Sequence, residues 1–347
     1  MRMREGWEYK KLGEVCDIYQ PKTISNEMLV KGGKLPIYGA NGTIGFYNSY
    51  NHIESEILLT CRGATCGTIN VSQPYSWING NAMVIHRKSD NLDFKFLYYM
   101  MLALDYSFVI NGAAQPQITR ARLAPIKVAI PPKSTQLSIV SELDKLNELI
   151  RIKKEQLKDY DALAQSIFYE MFGDPVDNEK GWEVKKFGEL FKLKSGDALS
   201  SKDFKAGIYP VYGGNGISGY HNSFNMNGSY IIIGRVGVYC GNVRKVEGKF
   251  WLTDNAFKLI YHENEQVSVF ILYLLYMLDL HKYANAAAQP VISNLTLKSV
   301  NIPLPPLPLQ HTFAHKIEQI ELQKAAVQKT ITDLETLLAS RMQYWFG

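Results

Sequence analysis

The chain of 347 residues is one module written twice, and this internal repeat limits its possible folds more than any other feature. The segment that starts at Gly6 returns at Gly181, an offset of 175 residues (181 − 6), and later matches have an offset of 174 (210 − 36). The matched pairs are residues 6–14 and 181–189, 36–42 and 210–216, Trp77 and Trp251, 81–82 and 255–256, 113–116 and 287–290, 131–132 and 305–306, and 172–173 and 346–347. The repeat predicts two bodies that share one order of elements.

The first part of each copy has the pattern of a mixed, mostly β domain. Apolar runs at 55–60 and 228–233 predict buried strands, and such runs alternate with Gly, Asn and Pro. Residues 41–42 and 215–216 are both Asn-Gly, which favours a hairpin turn because both central positions of that turn take positive φ. One helix is predicted in each copy, over 94–104 and 267–280.

The second part of each copy predicts one long helix. Residues 134–172 and 309–346 contain no Gly or Pro, and a double proline precedes each segment. We therefore predict domains over 1–133 and 174–308 and helices over 134–173 and 309–347. Apolar residues fill the two seam positions of a seven-residue repeat: Leu143, Ile150, Leu157, Ala164 and Met171 with Leu146, Tyr160 and Ile167, then Ile317, Ile331, Leu338 and Trp345 with Phe313, Ile320, Val327 and Leu334.

Two helices with matched seams are expected to pair. Lys153 and Lys324 interrupt the seams, either to fix the register or as lysines that reach out to solvent. Each helix of nearly forty residues spans roughly 57 Å. An antiparallel second helix would return the chain to its start, with Gly347 near Met1, and would give a pseudo-two-fold pair of domains. Such a pair matches the symmetry of duplex DNA, and because the copies differ, the target would be asymmetric and bipartite.

The distribution of charge agrees with contact to a polyanion. The net charge is +5. Residues 1–133 carry 15 Lys/Arg against 10 Asp/Glu and residues 176–309 carry 14 against 11, whereas 134–175 carry 5 against 8 and 310–347 carry 4 against 4. The surplus therefore lies in the two domains, as DNA contact requires, although ordinary surface charge would explain the same counts.

Several other classes of protein are disfavoured. No apolar run reaches the length of about eighteen residues that predicts a membrane span, and the charged first residues do not resemble a secretory signal, so we expect a cytoplasmic protein. The cysteines, at 16, 61, 66 and 240, form no Cys-x-x-Cys pair, and we expect reduced thiols rather than zinc ligands or disulfides.

The motifs of DNA methylation and nucleotide binding are incomplete. An adenine methyltransferase uses an (Asp/Asn/Ser)-Pro-Pro-aromatic loop, whereas the double prolines here follow Ile130 and Leu304. Glycines 214, 216 and 219 match a dinucleotide-binding pattern, but we expect a turn rather than a helix after them. We find no Gly-Lys-Ser/Thr phosphate loop and no cluster of histidines. We therefore expect no catalytic, cofactor or metal site in this chain.

The order of the repeated motifs resembles the specificity subunit of Type I restriction-modification systems. Each copy opens with Gly-Trp-x-x-x-x-Leu/Phe-Gly-Glu, continues with Tyr-Gly-x-Asn-Gly-x-x-Gly-Phe/Tyr, and ends with Ile/Leu-Pro-Pro-x-x-x-Gln before the long helix. The resemblance covers the whole chain. It implies an α+β fold in which two mixed, mostly β target-recognition domains are separated by two long antiparallel coiled-coil helices.

The resemblance also implies partners. They are double-stranded DNA, two methyltransferase (modification) subunits and a motor-nuclease (restriction) subunit. The methyltransferase subunits would bring S-adenosylmethionine and methylate an adenine in each half-site, and the restriction subunit would allow cleavage of unmethylated DNA. None of these activities would reside in this chain.

Residues that read bases should lie where the two copies differ within similar loops. Residues 61–65 oppose 234–239, and an arginine in such a loop can fork onto guanine O6 and N7, contact phosphate or form an ion pair. The candidates for DNA contact are Arg62, Thr65, Asn79, Gln117, Thr119, Arg120 and Arg122 in the first domain, and Arg235, Tyr239, Arg244, Lys245, Lys249 and Asn294 in the second. Among them, Arg244, Lys245 and Lys249 are candidate phosphate anchors.

Positions that are identical in both copies cannot explain two different half-sites. We expect them to be structural or to contact phosphates: Tyr38 and Tyr212, Asn41 and Asn215, Gly42 and Gly216, and Gln115 and Gln289. Trp77 and Trp251 are expected in the core rather than stacked on bases.

Two other classes of function remain open at this point. The chain could be a self-sufficient DNA methyltransferase or nuclease, which the missing catalytic loops disfavour. It could also be a coiled-coil scaffold that binds no DNA, which the basic surplus in both domains disfavours.

Overall fold

The computed structural model of the chain describes residues 4–24, 33–39, 41–112, 115–262, 267–285 and 289–347. Contacts divide the chain into unit 1, Met1–Lys153 with Thr330–Gly347, and unit 2, Lys154–Lys329. Each long helix therefore contributes one part to each unit. Ala40 and the repeated alanines at 113–114 and 287–288 lie outside the described residues.

Unit 1 is a mixed domain whose strands form two small sheets and a separate ladder. One sheet has the order β2-β8-β5-β6, the other has the order β4-β3-β7, and β1 pairs antiparallel with β9. The elements are β1 (Glu8–Lys11), α1 (Leu12–Val15), β2 (Cys16–Tyr19), β3 (Leu35–Gly39), β4 (Gly42–Tyr47), β5 (Ile57–Thr60), β6 (Ile69–Val71), β7 (Trp77–Ile78), β8 (Ala82–Arg87), α2 (Phe94–Ala103), α3 (Arg120–Leu123), β9 (Lys127–Ile130) and the long helix α4 (Lys133–Phe172).

Unit 2 repeats this order with its larger strands joined in one sheet. The sheet runs β11-β16-β14-β15-β12-β13, and β10 pairs antiparallel with β17. The elements are β10 (Glu183–Lys186), α5 (Phe187–Leu190), β11 (Phe191–Ser195), β12 (Tyr209–Gly213), β13 (Gly216–His221), β14 (Met226–Gly234), β15 (Val243–Leu252), β16 (Ala256–Tyr261), α6 (Ser268–Met277), α7 (Asn294–Lys298), β17 (Asn301–Leu304) and the long helix α8 (Leu307–Phe346), with 3-10 turns at Ser201–Asp203 and Leu280–Tyr283.

The two units differ in sheet topology because one long strand of unit 2 is interrupted in unit 1. β15 pairs with β14 on one side and with β12 on the other. At the corresponding positions of unit 1, β6 and β7 are separate strands, and Pro74 lies between them. Proline has no N–H to donate to a ladder, and Tyr75 beside it has a positive φ of 52°.

The α+β fold that the sequence predicted is confirmed, as are both hairpins and the helices over 94–104 and 267–280. The turn chemistry needs one correction. Gly39 pairs with Gly42 and Gly213 pairs with Gly216, so each Asn precedes the first residue of the returning strand. Gly42 and Gly216 both have a φ of 104°, whereas neither Asn41 nor Asn215 has a positive φ. Only the glycine of each Asn-Gly pair therefore needs the conformational freedom.

The long helices pair through the predicted seam. Early in α4, Glu142 binds the guanidinium of Arg341 and accepts a hydrogen bond from Trp345 Nε1 at 3.1 Å, late in α8. The hydrogen bond from Arg341 lowers the pKa of the Glu142 carboxyl. In unit 2 the late part of α4 meets the early part of α8, where Lys324 lies 2.7 Å from Asp161. The helices are therefore antiparallel, as the sequence predicted.

Lys324 has a more definite role than a lysine that reaches out to solvent. Its ammonium is held by Asp161 of α4 and by Glu321 of α8, at 3.0 Å. Burial alone would lower the pKa of Lys324, but the hydrogen bonds to these two carboxylates raise it. The charged group thus joins the two helices at one position of an otherwise apolar seam, which favours the role of fixing the register.

The end of α8 lies against the start of the described chain. The guanidinium of Arg4 lies 4.5 Å from the ring centroid of Tyr344 and 4.9 Å from that of Trp7. These cation–π contacts lie within unit 1 and agree with the expected return of the chain. Met1 itself lies outside the described residues.

A buried glutamine fixes each domain to the helix that follows it. Gln136, in the first turn of α4, donates through Nε2 to the carbonyls of Pro131, at 2.9 Å, and Asn91, at 3.0 Å. Its Oε1 accepts from the N–H of Asp93, the N-cap of α2, at 2.8 Å. Gln310 repeats the arrangement in α8, between the Pro305 carbonyl and the Val267 N–H. This explains the glutamine that follows each double proline.

We expect Gln136→Ala to destabilise the chain by about 1–3 kcal/mol, because it leaves the buried Pro131 carbonyl and the part-buried Asp93 N–H without partners. Urea unfolding measures the change. Gln165→Ala is the matched control, since this residue lies on the same helix with an exposed side chain. Equal unfolding midpoints for the two variants would contradict the role assigned to Gln136.

Candidate nucleic-acid interface

In each unit a loop and a strand-to-helix segment lie side by side and form one edge of the domain. We define this recognition edge as residues 61–66 with 115–122 in unit 1, and residues 235–240 with 289–296 in unit 2. In unit 1, Gly63 N donates to Pro116 O at 3.0 Å and Ile118 N donates to Cys61 O at 3.0 Å. The edge also meets the hairpin turn, because Thr65 Oγ1 donates to Asn41 Oδ1 at 2.6 Å.

The same backbone hydrogen bonds build the edge of unit 2. Gly237 N donates to Pro290 O at 2.9 Å, and Ile292 N donates to Arg235 O at 2.8 Å. These bonds fix the correspondence between the two edges: Arg235 takes the position of Cys61, and Val236 takes the position of Arg62. The two segments therefore oppose each other as the sequence predicted, but their arginines, Arg62 and Arg235, are one position apart. One residue along a strand reverses the direction of the side chain.

Arg235 points back into its domain. Its Nη1 donates weakly to Ser195 Oγ, at 3.4 Å, and to the Asp254 carbonyl, at 3.5 Å, and its guanidinium lies 5.3 Å from the ring centroid of Phe257. Its Nε, which is buried, has no hydrogen-bond partner among the described residues. Arg235 therefore supports the recognition edge from behind.

In unit 1 the same place is filled from the opposite strand. Gln20 Nε2 donates to Cys61 Sγ at 3.1 Å and to the Gly80 carbonyl at 2.8 Å. Gln20 corresponds to Ser195, Cys61 to Arg235, and Gly80 to Asp254. In unit 1 the long donor is Gln20 and the short residue is Cys61, whereas in unit 2 the long donor is Arg235 and the short residue is Ser195. The donor binds the equivalent carbonyl in both units, Gly80 in unit 1 and Asp254 in unit 2.

Most of the first-domain candidates lie on the recognition edge. Arg62, Thr65, Arg120 and Arg122 are exposed, and Gln117 and Thr119 are half-buried. Thr119 is the N-cap of α3. Within the described part of the chain, no hydrogen bond or ion pair engages the side chains of the three arginines. Their guanidinium groups are therefore available to acceptors in solution.

Two second-domain candidates lie on the corresponding edge. Tyr239 is 49% exposed at the tip of the loop. Asn294 is the first residue of α7, where Arg120 begins α3, and is half-buried. Ser293 caps α7 and exchanges hydrogen bonds with Thr296, which occupies the position of Arg122. None of the three arginines of the first edge has a charged counterpart in the second.

The predicted anchors of the second domain do not form one patch. Arg244 Nη2 donates to the carbonyl of Asn215 at 3.3 Å and so supports the hairpin turn. Lys245 forms an ion pair with Glu247 at 2.6 Å and lines a cleft of about 1050 Å³ with residues of α4, α6 and α8. Lys249 lies 5.0 Å from the ring centroid of Phe224. Only Lys249 keeps an exposed ammonium without an ion pair to the described residues.

Asn79 does not lie on the exposed surface. It is 4% exposed, its backbone N–H donates to Tyr38 O at 2.9 Å, and its Oδ1 accepts from the N–H of Ile24 at 3.0 Å. Its side-chain oxygen is thus engaged within the domain. The sequence named Asn79 as a candidate for DNA contact, and its burial, which depends on the folded chain, removes it from the exposed surface.

The shared aromatic residues have structural surroundings. Tyr38 is 7% exposed, and Tyr212 makes an edge contact with Phe250 at 5.4 Å. Trp77 and Trp251 are half-buried, and Trp251 Nε1 donates to Asp197 O at 3.2 Å. Gln115 and Gln289 are exposed. Trp77 and Trp251 contact Tyr47 and His221 of their own domains, but they are half-buried rather than core residues, which corrects the prediction from the sequence.

Cys16, Cys61 and Cys240 are buried and are not joined in disulfides. Burial raises the pKa of Cys16 to about 12, and burial also raises the pKa of Cys61 and Cys240. Across the described ranges, no group of His, Cys, Asp and Glu side chains is arranged to hold a metal ion. The helices of the described ranges include none with an apolar stretch that could span a bilayer.

A family model described as "Type I restriction modification DNA specificity domain" matches the chain twice, over residues 4–159 and 179–336. The chain belongs to this family. One similar protein is the type I restriction enzyme EcoprrI specificity subunit of Escherichia coli, with 25% identity over 73% of this chain and 66% of that protein, just under two thirds of its length. Another is the type I restriction enzyme MjaVIII specificity subunit of Methanocaldococcus jannaschii, with 22% identity over 77% of this chain and 72% of that protein.

Solved structures share the fold of this specificity-family chain. The S subunit of a Type-I restriction-modification system from M. genitalium covers 99% of this chain, and 97% of that structure is covered, with 17% identity and a TM-score of 0.58. A second solved chain comes from a structural study of assembly and conformational transition in the type I R-M system. The match covers 100% of this chain and 99% of that one, with 17% identity and a TM-score of 0.64.

Sequence reasoning missed some exposed residues of the recognition edges. Val238 and Leu295, on the second edge, are each 77% exposed, and Phe108, outside the first edge, is 63% exposed. An apolar residue in a sequence is ordinarily assigned to the core, so their exposure could not be read directly. The alignment of the two copies carried a signal of this exposure. It places Val238 opposite Ala64 and Leu295 opposite Ala121, so these positions do not keep a large apolar side chain in both copies.

We expect Arg235→Cys to destabilise the chain by about 1 kcal/mol, because the chain loses the contact of the guanidinium with Phe257 and its two weak hydrogen bonds, to Ser195 and Asp254. Adding Ser195→Gln to this variant rebuilds the arrangement of Gln20 and Cys61, and we expect it to restore part of that loss. A double-mutant cycle in urea measures the coupling. Ser195→Gln alone is the control, and additive effects would show that Arg235 does not fill this place.

Proposed function

We propose that this chain is the DNA sequence-specificity subunit of a Type I restriction-modification enzyme. Each domain would read one half of an asymmetric, bipartite DNA target, and the paired helices would set the spacer between the halves. The observation that carries the proposal is a single backbone frame built twice, with different exposed side chains on its two recognition edges. A shared frame allows both domains to approach DNA in the same way, and different side chains allow different sequences to be read.

The side chains of the first edge suit the major groove. Arg62, Arg120 and Arg122 are exposed and carry fixed positive charge. A guanidinium can donate two parallel hydrogen bonds to guanine O6 and N7, or can bind phosphate oxygens. Arg235 has no part in this contact in our proposal, because its guanidinium lies against Phe257.

The long helices would also bind partner subunits. Leu149, Ile152 and Leu163 of α4, and Leu322 and Leu337 of α8, are between 44% and 59% exposed and lie outside the seam. Apolar side chains at such positions can be covered by helices of another protein. We propose that these partners are two methyltransferase subunits, and that a restriction subunit joins the complex.

The chain itself would be non-catalytic. We propose that S-adenosylmethionine is bound by the methyltransferase subunits, which would transfer its methyl group to an adenine in each half-site. The contribution of this chain would be to bind and orient the DNA, so that the target adenines are presented at fixed positions along the duplex.

Co-expression with the neighbouring methyltransferase subunit should produce adenine methylation at one split, asymmetric motif. Single-molecule sequencing of the host genome measures this, and each protein expressed alone is the control. Methylation by this chain alone would instead support a self-sufficient methyltransferase. No methylation and no DNA binding with an active partner would support a scaffold that binds proteins only.

Inserting one heptad into each long helix, after Lys153 and after Lys329, should lengthen the spacer of the motif and leave both half-sites unchanged. Seven helical residues span about 10.5 Å, which corresponds to about three base pairs. Motif mapping in the same co-expression assay measures the result. An insertion in only one helix breaks the seam and should abolish activity. An unchanged spacer with full activity in the double insertion would rule out the helices as the ruler.

A further inference from the structure

The two recognition edges differ by a systematic exchange of side-chain character. The first edge carries arginines and small side chains. At the corresponding positions of the second edge, uncharged side chains replace the arginines, and larger side chains, mostly apolar, replace the small ones. In order of position, the exchanges are Arg62 for Val236, Ala64 for Val238, Thr65 for Tyr239, Arg120 for Asn294, Ala121 for Leu295 and Arg122 for Thr296.

The apolar residues of the second edge are not part of its core. Val238 and Leu295 are each 77% exposed, and Tyr239 is 49% exposed. Val238 and Leu295 belong to segments that the hydrogen bond between Gly237 and Pro290 joins. Exposed aliphatic side chains in a loop tip and in the first turn of a short helix gain little for folding.

Positive charge is retained beside this edge, but at different positions. Lys282 replaces Phe108, and Lys298, at the end of α7, replaces Ala124. The turn that carries Lys282 is joined to the edge loop, because His281 Nδ1 lies 2.9 Å from the Cys240 carbonyl. Both lysines are exposed. Cations flanking an apolar tip complement a surface on which phosphates flank an apolar group.

Duplex DNA presents one such group in its major groove, the C5-methyl group of thymine. We propose that the second domain reads its half-site in part through thymine methyl groups, which contact Val238 and Leu295, while Lys282 and Lys298 contact the flanking phosphates. The inference rests on the proposed function and adds the chemistry of one half-site. The first domain, with Arg62 at its tip, reads by charge-assisted hydrogen bonds instead.

The test uses the complex of this chain with its methyltransferase partner and duplexes that carry the mapped motif. Each dT in either half-site is replaced in turn by dU, which removes only the C5-methyl group. At one or more positions in one half-site, binding should weaken about fourfold, as expected for one buried methyl group. Competition against the unmodified duplex measures the change, and dU in the spacer is the control.

Val238→Ala and Leu295→Ala identify the protein side of the contact. We expect at least one of them to abolish the difference between dT and dU in that half-site, and neither to affect the other half-site. Ile208→Ala is the matched control, since Ile208 is an aliphatic residue of unit 2 that is 79% exposed outside the recognition edge. Unchanged urea midpoints establish that the variants remain folded.

A target half-site with no thymine-methyl effect, or an effect that survives both variants, overturns this inference and leaves the proposed function in place. A split motif read without any contribution from unit 2 would overturn it as well. Absence of specific DNA binding by the complex would overturn the proposed function, and the inference with it.

Discussion

A buried amide side chain connects each domain to the long helix that leaves it. Gln136 and Gln310 each lie in the first turn of a helix, and each donates to a proline carbonyl while it accepts from a backbone N–H at the start of the domain's own helix. Because both glutamine side chains and the proline carbonyls that they bind are buried, a shift of the domain relative to its helix would leave buried groups unpaired. A helix can act as a spacer only if its ends are fixed, and these contacts fix them.

The two copies preserve a backbone frame and vary the side chains that complete it. Gln20 in unit 1 and Arg235 in unit 2 are an example. They come from different strands of the shared frame, and each donates a hydrogen bond to the equivalent carbonyl, that of Gly80 or Asp254. The place needs one long donor, and either strand can provide it. Divergence of this kind changes the residue on the edge without changing the path of the edge. Arg235 is turned inward where the other domain has Cys61, and the exposed Arg62 corresponds to Val236.

Unit 1 and unit 2 also show how much local change the frame tolerates. Pro74 divides into β6 and β7 what is one continuous strand, β15, in unit 2. The pairing of β3 with β7 and of β12 with β15 is nevertheless parallel in both units, with matching registers. The sheet behind the recognition edge can therefore be split without moving the hairpin turn that contacts the edge.

The sequence by itself determined the repeat, the α+β class, the hairpins, the antiparallel long helices and the family resemblance, because each depends on spacing along the chain. Periodicity decides whether a segment is a helix or a strand, and the glycine of each Asn-Gly pair decides where a hairpin turns. Only the tertiary structure decided which polar residues face solvent. Asn79 is buried, Arg235 lies on Phe257 and Val238 is exposed. None of this follows from spacing, because the direction of a side chain depends on strand register and on neighbours that are distant in sequence.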